Sequence, residues 1–280
     1  MLMPMKSVQY ISETPVPSTQ VSDLLLSKVP QVTLAFWIIK VFSTTVGETA
    51  ADYFNVTLGF GLTVTSIVVG VVFLAALAVQ FVIRRYTPTV YWLTVVLISI
   101  VGTLITDNLT DVLGVPLWVS TAVFSVFLAA TFIIWYAREG TLSIHSIVTR
   151  QREAFYWCAI LLTFALGTAA GDLLAEGLAL GYLVSAILFA AVIGAVTIAF
   201  FVFGANAVLC FWTAYILTRP LGASLGDLTS QATVDGGLGW GTTITSVAFG
   251  VVIVGLVIYL TRNVGRQREA LDTAKNSAVI

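Results

Sequence analysis

Charge is scarce in this chain. Of 280 residues only 10% are Asp, Glu, Lys or Arg, against 58% hydrophobic residues, a balance far from that of soluble domains. There is one histidine, and the two cysteines, Cys158 and Cys210, stand far apart within apolar segments. No CxxC pair and no Cys/His cluster exists, which excludes a zinc ribbon or a disulfide framework, and the two thiols read as buried spacers. The glycine pairs at Gly59 to Gly61 and Gly236 to Gly239 are not followed by GK[ST], so no phosphate-binding loop is encoded. No nucleophile lies in a recognisable pattern with a base, so the chain does not read as an enzyme. The first 28 residues lack an apolar stretch followed by a small-residue cleavage site, so no cleavable signal is expected. They read instead as a flexible tail. A net charge of −1 gives no reason to expect a nucleic-acid partner.

What the chain has in abundance is long uncharged runs. Val56 to Val82 and Leu113 to Tyr136 each exceed the roughly 18 apolar residues that predict a membrane span. A strict frame runs through them. Trp37, Gly47 and Asp52 are spaced by nine and four intervening residues, and the spacing returns at Trp92, Gly102, Asp107, at Trp157, Gly167, Asp172, and at Trp212, Gly222, Asp227. A recurring period of this kind decides architecture before anything else does. Each repeat resolves into helix A, starting near the Trp, and helix B after a Gly-rich break. The expected A helices are about 31–54, 88–111, 152–175 and 206–230. The breaks fall at 55–60, 113–116, 177–181 and 231–239, and the B helices end near 83, 136, 203 and 260. The fold class is therefore an all-α membrane protein of eight transmembrane helices, built from four parallel two-helix repeats around an axis along the membrane normal. The expected organisation is a tail over 1–28, repeats 1 and 2 over 29–137, a connection over 138–151, repeats 3 and 4 over 152–264, and a second tail over 265–280.

Eleven of the thirteen Lys and Arg residues fall in the tails or between repeats, and the A–B turns contain none. Positive residues stay cytoplasmic, which places both termini inside. The Trp would mark the interface as an aromatic belt, and the frame Asp, fifteen residues on, would lie about 22 Å further along the helix. Glu48 precedes Asp52 by four residues, while Asp111 and Glu176 follow Asp107 and Asp172 by four, a spacing that shares one helix face. Asp111, Glu176 and Asp235 can equally be solvated turn residues. Ionisable groups at membrane depth are functional candidates, and converging carboxylates repel unless a cation or proton sits among them. The candidate cation ligands are thus Asp52, Asp107, Asp172, Asp227, Glu48, Glu176 and Asp111. Lys40, three residues past Trp37, is expected to snorkel to the interface, with gating or charge compensation as its alternative role. Arg219, near mid-depth and followed by Pro220, needs a carboxylate or backbone carbonyls, as a structural pair or as a gating charge. Without His or Cys, carboxylates and hydroxyls favour hard ions over zinc or copper: Mn²⁺, Mg²⁺, Ca²⁺, Na⁺ or protons.

The blocks at residues 35–40, 47–53, 104–111, 167–176 and 219–224 resemble the bacterial family of uncharacterised membrane-anchored proteins. The resemblance covers about residues 28–265 and implies a bacterial inner-membrane setting with no assigned activity. A looser similarity to cation exporters with Glu-x-Gly-Asp repeats extends only to the Gly171-Asp172 and Gly226-Asp227 dipeptides, within a different topology. The expected function is secondary, proton-coupled transport of a cation, with Mn²⁺ preferred. A passive cation or proton channel and a membrane-anchored interaction or sensor protein are the alternatives. Expected partners are a metal cation, protons and the lipid bilayer, with homo-oligomerisation left open.

Overall fold

The computed structural model describes residues 27–277. Most of the tail expected over 1–28 lies outside them, but Lys28 does not hang free. Its Nζ meets Glu153 Oε2 at 2.5 Å, in a pair that is almost fully buried. Eight long helices are present among the described residues. They are α1 (Leu34–Asp52), α2 (Gly61–Val82), α3 (Pro88–Asp107), α4 (Leu117–Glu139), α5 (Arg150–Asp172), α6 (Tyr182–Phe203), α7 (Ala207–Ser230) and α8 (Gly241–Ser277).

Local chemistry sets their ends. Thr33 and Thr149 accept from the backbone N–H groups of Phe36 and Arg152, Asn206 accepts from those of Val208 and Leu209, and Pro88 opens α3. Such side chains satisfy the donors that a helix start leaves free, and proline has no such donor to lose. Gly140 and Gly204 take left-handed backbone at the ends of α4 and α6. After Asp52, Asp107 and Asp172 the helix widens into a π-turn, Tyr53–Thr57, Asn108–Val112 and Leu173–Gly177. The fourth repeat departs: α7 stays α-helical to Ser230 and is followed by a short 3₁₀ turn at Thr233–Asp235.

Among the described residues seven helices are long and apolar enough to cross a membrane, not eight. The missing one is α1. Its 19 residues carry Lys40, Glu48 and Asp52 with Ser43, Thr44, Thr45 and Thr49, which dilute its hydropathy. At the other end α8 continues to Ser277, past the boundary expected near 264, so the described part of that tail is helical.

α1, α3, α5 and α7 form a closed inner ring, with α1 against α3 and α7, and α5 against α3 and α7. The outer helices follow a second rule: α2 packs on α3, α4 on α5, α6 on α7, and α8 on α1. Each repeat thus shields the inner helix of the next, and the last shields the first, so the ring has no loose seam. The outer helices are buried over only 11–17% of their apolar windows, whereas α3, α5 and α7 are buried over 50–61%. Exposed Val, Ile, Leu and Phe cover the outside. Cys158 is exposed and Cys210 half-buried, so the expectation of two buried spacers fails because both sit on outward-turned faces.

Candidate functional site

The four frame glycines close the inner ring. A Cβ on Gly47 of α1 would overlap Ser99 of α3, and one on Gly102 of α3 would lie 2.6 Å from Phe164 Cβ of α5. A Cβ on Gly167 of α5 would overlap the Arg219 side chain of α7, and one on Gly222 of α7 would overlap Thr44 of α1. Each glycine therefore receives a side chain lying three residues before the frame glycine of the neighbouring repeat. Small residues let helix backbones approach in this way.

Four residues make about one helical turn, so steps of four keep to one face. Counting from each frame glycine, side chains at −11, −7, −3, +1 and +5 build successive tiers inside the ring. The −11 tier is Phe36, Tyr91, Tyr156 and Phe211. Here the Tyr91 and Tyr156 hydroxyls are hydrogen-bonded, and Phe36 lies 6.1 Å from Phe211 between ring centroids. The −7 tier is Lys40, Val95, Ile160 and Tyr215, all completely buried. The −3 tier is Thr44, Ser99, Phe164 and Arg219, again completely buried. At +1 come Glu48, Thr103, Thr168 and Ala223. The frame Asp residues form the +5 tier.

Arg219 joins two tiers. Its Nη2 donates to Glu48 Oε2 at 2.8 Å, to Thr168 Oγ1 at 2.7 Å and to Thr103 Oγ1, which are the +1 residues of the other three repeats. Nη1 donates to the Thr44 carbonyl at 2.8 Å and Nε to the Phe164 carbonyl at 3.4 Å. A rigid fork of donors suits such convergence. The sequence demanded a carboxylate or backbone carbonyls for this arginine, and both are there. Thr103 Oγ1 also donates to Glu48 Oε2 at 3.2 Å, so one carboxylate serves three helices.

Lys40 does not snorkel. It is fully buried, with Nζ 4.1 Å from the Phe164 ring centroid and 4.3 Å from that of Tyr215. Among the described residues no hydrogen-bond partner meets Nζ. The ring leaves no corridor along which the stem could reach an interface. The Trp frame is likewise not an outward belt. Trp92, Trp157 and Trp212 are 1–4% exposed, and Trp92 and Trp212 donate their Nε1 protons to the Tyr86 hydroxyl and the Leu142 carbonyl. With the −11 residues they make the aromatic floor of the core.

Above Arg219 the ring opens. Asp52, Asp107 and Asp172 are half-buried and Asp227 is buried. Among the described residues none of these four carboxylates has a hydrogen-bond or ion-pair partner. They do share one field: Asp52 interacts with Glu48, Glu176 and Asp111, and Asp107 with Glu48, Asp52, Asp111 and Arg219. Asp172 interacts with Glu48, Asp227, Asp107 and Glu176, and Asp227 with Glu48, Asp52, Glu176 and Arg219. Asp111 and Glu176 lie in the π-turns and are exposed, with Glu176 Oε1 accepting from the Tyr182 hydroxyl at 3.1 Å. Asp235 is exposed in its own turn. Among the described residues no three His, Cys, Asp or Glu side chains form a group close enough to grip a metal ion. The candidate ligands are thus gathered around one opening but stand apart.

The residues that sequence reasoning missed are the plain ones at −3 and +1. Thr44, Thr103, Phe164 and Thr168 carry no chemistry that stands out in a linear reading. Their common register to the glycine frame was the available signal.

No curated protein and no solved structure matches this chain. Its four repeats, residues 35–86, 90–141, 155–206 and 210–265, each match one family, described as a Repeat of Unknown Function, DUF347. These starts are offset by the same steps as the Trp, Gly and Asp frame, and together the matched residues cover most of the chain. The chain therefore belongs to the DUF347 repeat family.

Proposed function

We propose that the protein is a multi-pass membrane transporter that moves a hard cation, with Mn²⁺ preferred, in exchange for protons. In this reading the four repeats run parallel around an axis along the membrane normal, in a bacterial inner membrane. The contacts that support it are those of equivalent positions: −11 residues meet one another at one end, while the +5 acids share a field at the other. The apolar outer helices support a lipid surface, since a face so large and so apolar is a liability in water. Arg84, Arg85, Arg138, Arg150 and Arg152 flank the helix ends away from the Asp tier, and Arg262 lies in the later part of α8, which supports a cytoplasmic aromatic end and an outward acidic mouth.

The observation that carries the reading is the set of four unpartnered carboxylates held at one level over a buried Arg219–Glu48 pair. A ring of acids concentrates cations by charge. Because the carboxylates stand apart, a divalent ion there keeps part of its water shell, as hard cations with few protein ligands do. Below them the axis is filled with side chains from Glu48 to Phe36, which supports a gated cycle over an open pore. Arg219 acts as a tethered cation that closes the path. Pro220, which removes a backbone hydrogen bond inside α7, gives the turn carrying Arg219 a place to bend.

Purified protein in liposomes tests this. An imposed pH gradient is expected to drive Mn²⁺ uphill, and Asp172→Asn to reduce that flux more than Asp235→Asn. Ohmic current without uphill flux would point to a channel. Absence of both would leave an interaction or sensor protein.

A further inference from the structure

We infer that Lys40 is the side chain that carries the exchanged proton, binding it in the closed state shown here and releasing it when a cation enters the axis. This rests on the cation-transport reading above but assigns the proton to a base inside the ring, not to the acids at its mouth. Four observations point to Lys40.

Its Nζ is fully buried and, among the described residues, has no hydrogen-bond acceptor. A buried ammonium normally has a counter-ion or carbonyls, because leaving it unpaired is expensive. Among the described residues the aromatic faces of Phe164 and Tyr215 supply its only stabilising contact, a weaker substitute for ion pairing. The charge that acts on it is Arg219, of the same sign, and Glu48, two turns along α1, is paired with Arg219 at 2.8 Å. Finally, the position is unique among the repeats: Val95, Ile160 and Tyr215 hold the −7 place elsewhere, so the helix packing does not require a lysine.

The groups around it are few. From α7 come Tyr215 and Arg219, from α5 Phe164 one tier above Lys40 and Tyr156 one tier below it, and from α3 Tyr91 at the level of Tyr156. α8 brings no titratable side chain between Gly241 and Ile258, and on α1 itself only Glu48 lies within the ring. The stretch from Lys40 to Glu48 thus holds two side-chain cations and one carboxylate. A third cation moving down from the Asp tier raises the repulsion further. Breaking one N–H bond of the ammonium relieves it: the proton passes to water, the electron pair stays on Nζ, and the amine left behind can face the cargo as a ligand. Lysine suits this role because its charge responds to burial, whereas arginine remains charged.

The test is proton release on cation binding. Detergent-solubilised full-length protein in weak buffer is titrated with MnCl₂, with binding followed by calorimetry and protons by a pH dye. Wild type is expected to release about one proton per bound ion, which makes its affinity rise about tenfold per pH unit. Lys40→Met should bind Mn²⁺ with no proton release and no pH dependence. Lys40→Arg should bind weakly at every pH, since its charge cannot leave. Proton release that persists in Lys40→Met overturns the assignment and gives the proton to the Asp tier. Binding by wild type without proton release also overturns it, while the cation site stands. Failure of wild type to bind Mn²⁺ would instead overturn the transport reading itself. A thermal melt of each variant, compared with wild type, separates loss of binding from loss of fold.

Discussion

Glu48→Gln isolates the charge at the centre of the ring. Arg219 is completely buried, and among the described residues its only carboxylate partner is Glu48 at 2.8 Å. Removing one partner of a buried ion pair costs about 3–5 kcal/mol, because the other charge is left uncompensated. Glutamine keeps an oxygen that can accept from Nη2, and that hydrogen bond returns about 1 kcal/mol. The four remaining acceptors, Thr44 O, Phe164 O, Thr103 Oγ1 and Thr168 Oγ1, are untouched. The expected loss is therefore about 2–4 kcal/mol. At roughly 2–4 °C per kcal/mol for a chain of this size, Tm falls by about 4–16 °C. Differential scanning fluorimetry in detergent measures it. The decisive control is the same substitution in an Arg219→Leu background, where Glu48 has no guanidinium to pair with. There Glu48→Gln should cost nothing, or should stabilise by removing a lone buried charge. An equal fall in both backgrounds, or a fall below about 2 °C in the wild type, would refute the view that this pair holds the ring together.

Three further outcomes follow from the packing and the charge layout. Gly222→Ala places a methyl group against Thr44 and is expected to lower stability by about 1–3 kcal/mol through overpacking. Gly70→Ala, with open space around it, should raise stability slightly, by about 0.5–1 kcal/mol, through helix propensity; thermal melts of the two should move in opposite directions. Glu153→Gln leaves Lys28 buried beside the Phe81 carbonyl and should cost about 3 kcal/mol by the same buried-pair argument, read as a lower Tm and faster proteolysis near residue 28. Asp172→Asn should lower initial Mn²⁺ flux at least severalfold, and Asp235→Asn should leave it near wild type, since only Asp172 belongs to the shared field; equal losses would remove the Asp tier from the transport path.

Much of the architecture was legible in the linear chain, because membrane-length apolar runs and a repeated frame are local patterns. The four repeats, the two helices in each and the Gly-rich breaks all stand where the period puts them. The count of apolar spans was overstated by one, since α1 spends seven of its 19 residues on charge and hydroxyls, of which Lys40, Thr44, Glu48 and Asp52 belong to the inner tiers. The Trp frame misled in another way. Tryptophan near a helix end reads as an interfacial belt, yet here the ring curls those helix ends together and buries three of the four indoles. Lys40 failed for the same reason: a snorkelling estimate counts residues to an interface, but it cannot see the Phe164 and Tyr215 rings that enclose the stem.

The sequence by itself determined which residues are equivalent, because a fixed spacing on a 3.6-residue helix assigns every copy to the same height and face. It also determined that acids gather at one end of each repeat, since that is a count along the chain. Only the tertiary structure decided which equivalent residues touch. Joining the last repeat to the first puts Arg219 within reach of Glu48, 171 residues away, leaves Lys40 without an acceptor, and leaves the four Asp carboxylates unpaired. Those facts depend on how helices from different repeats cross at their glycines, and no periodicity within one helix contains that information.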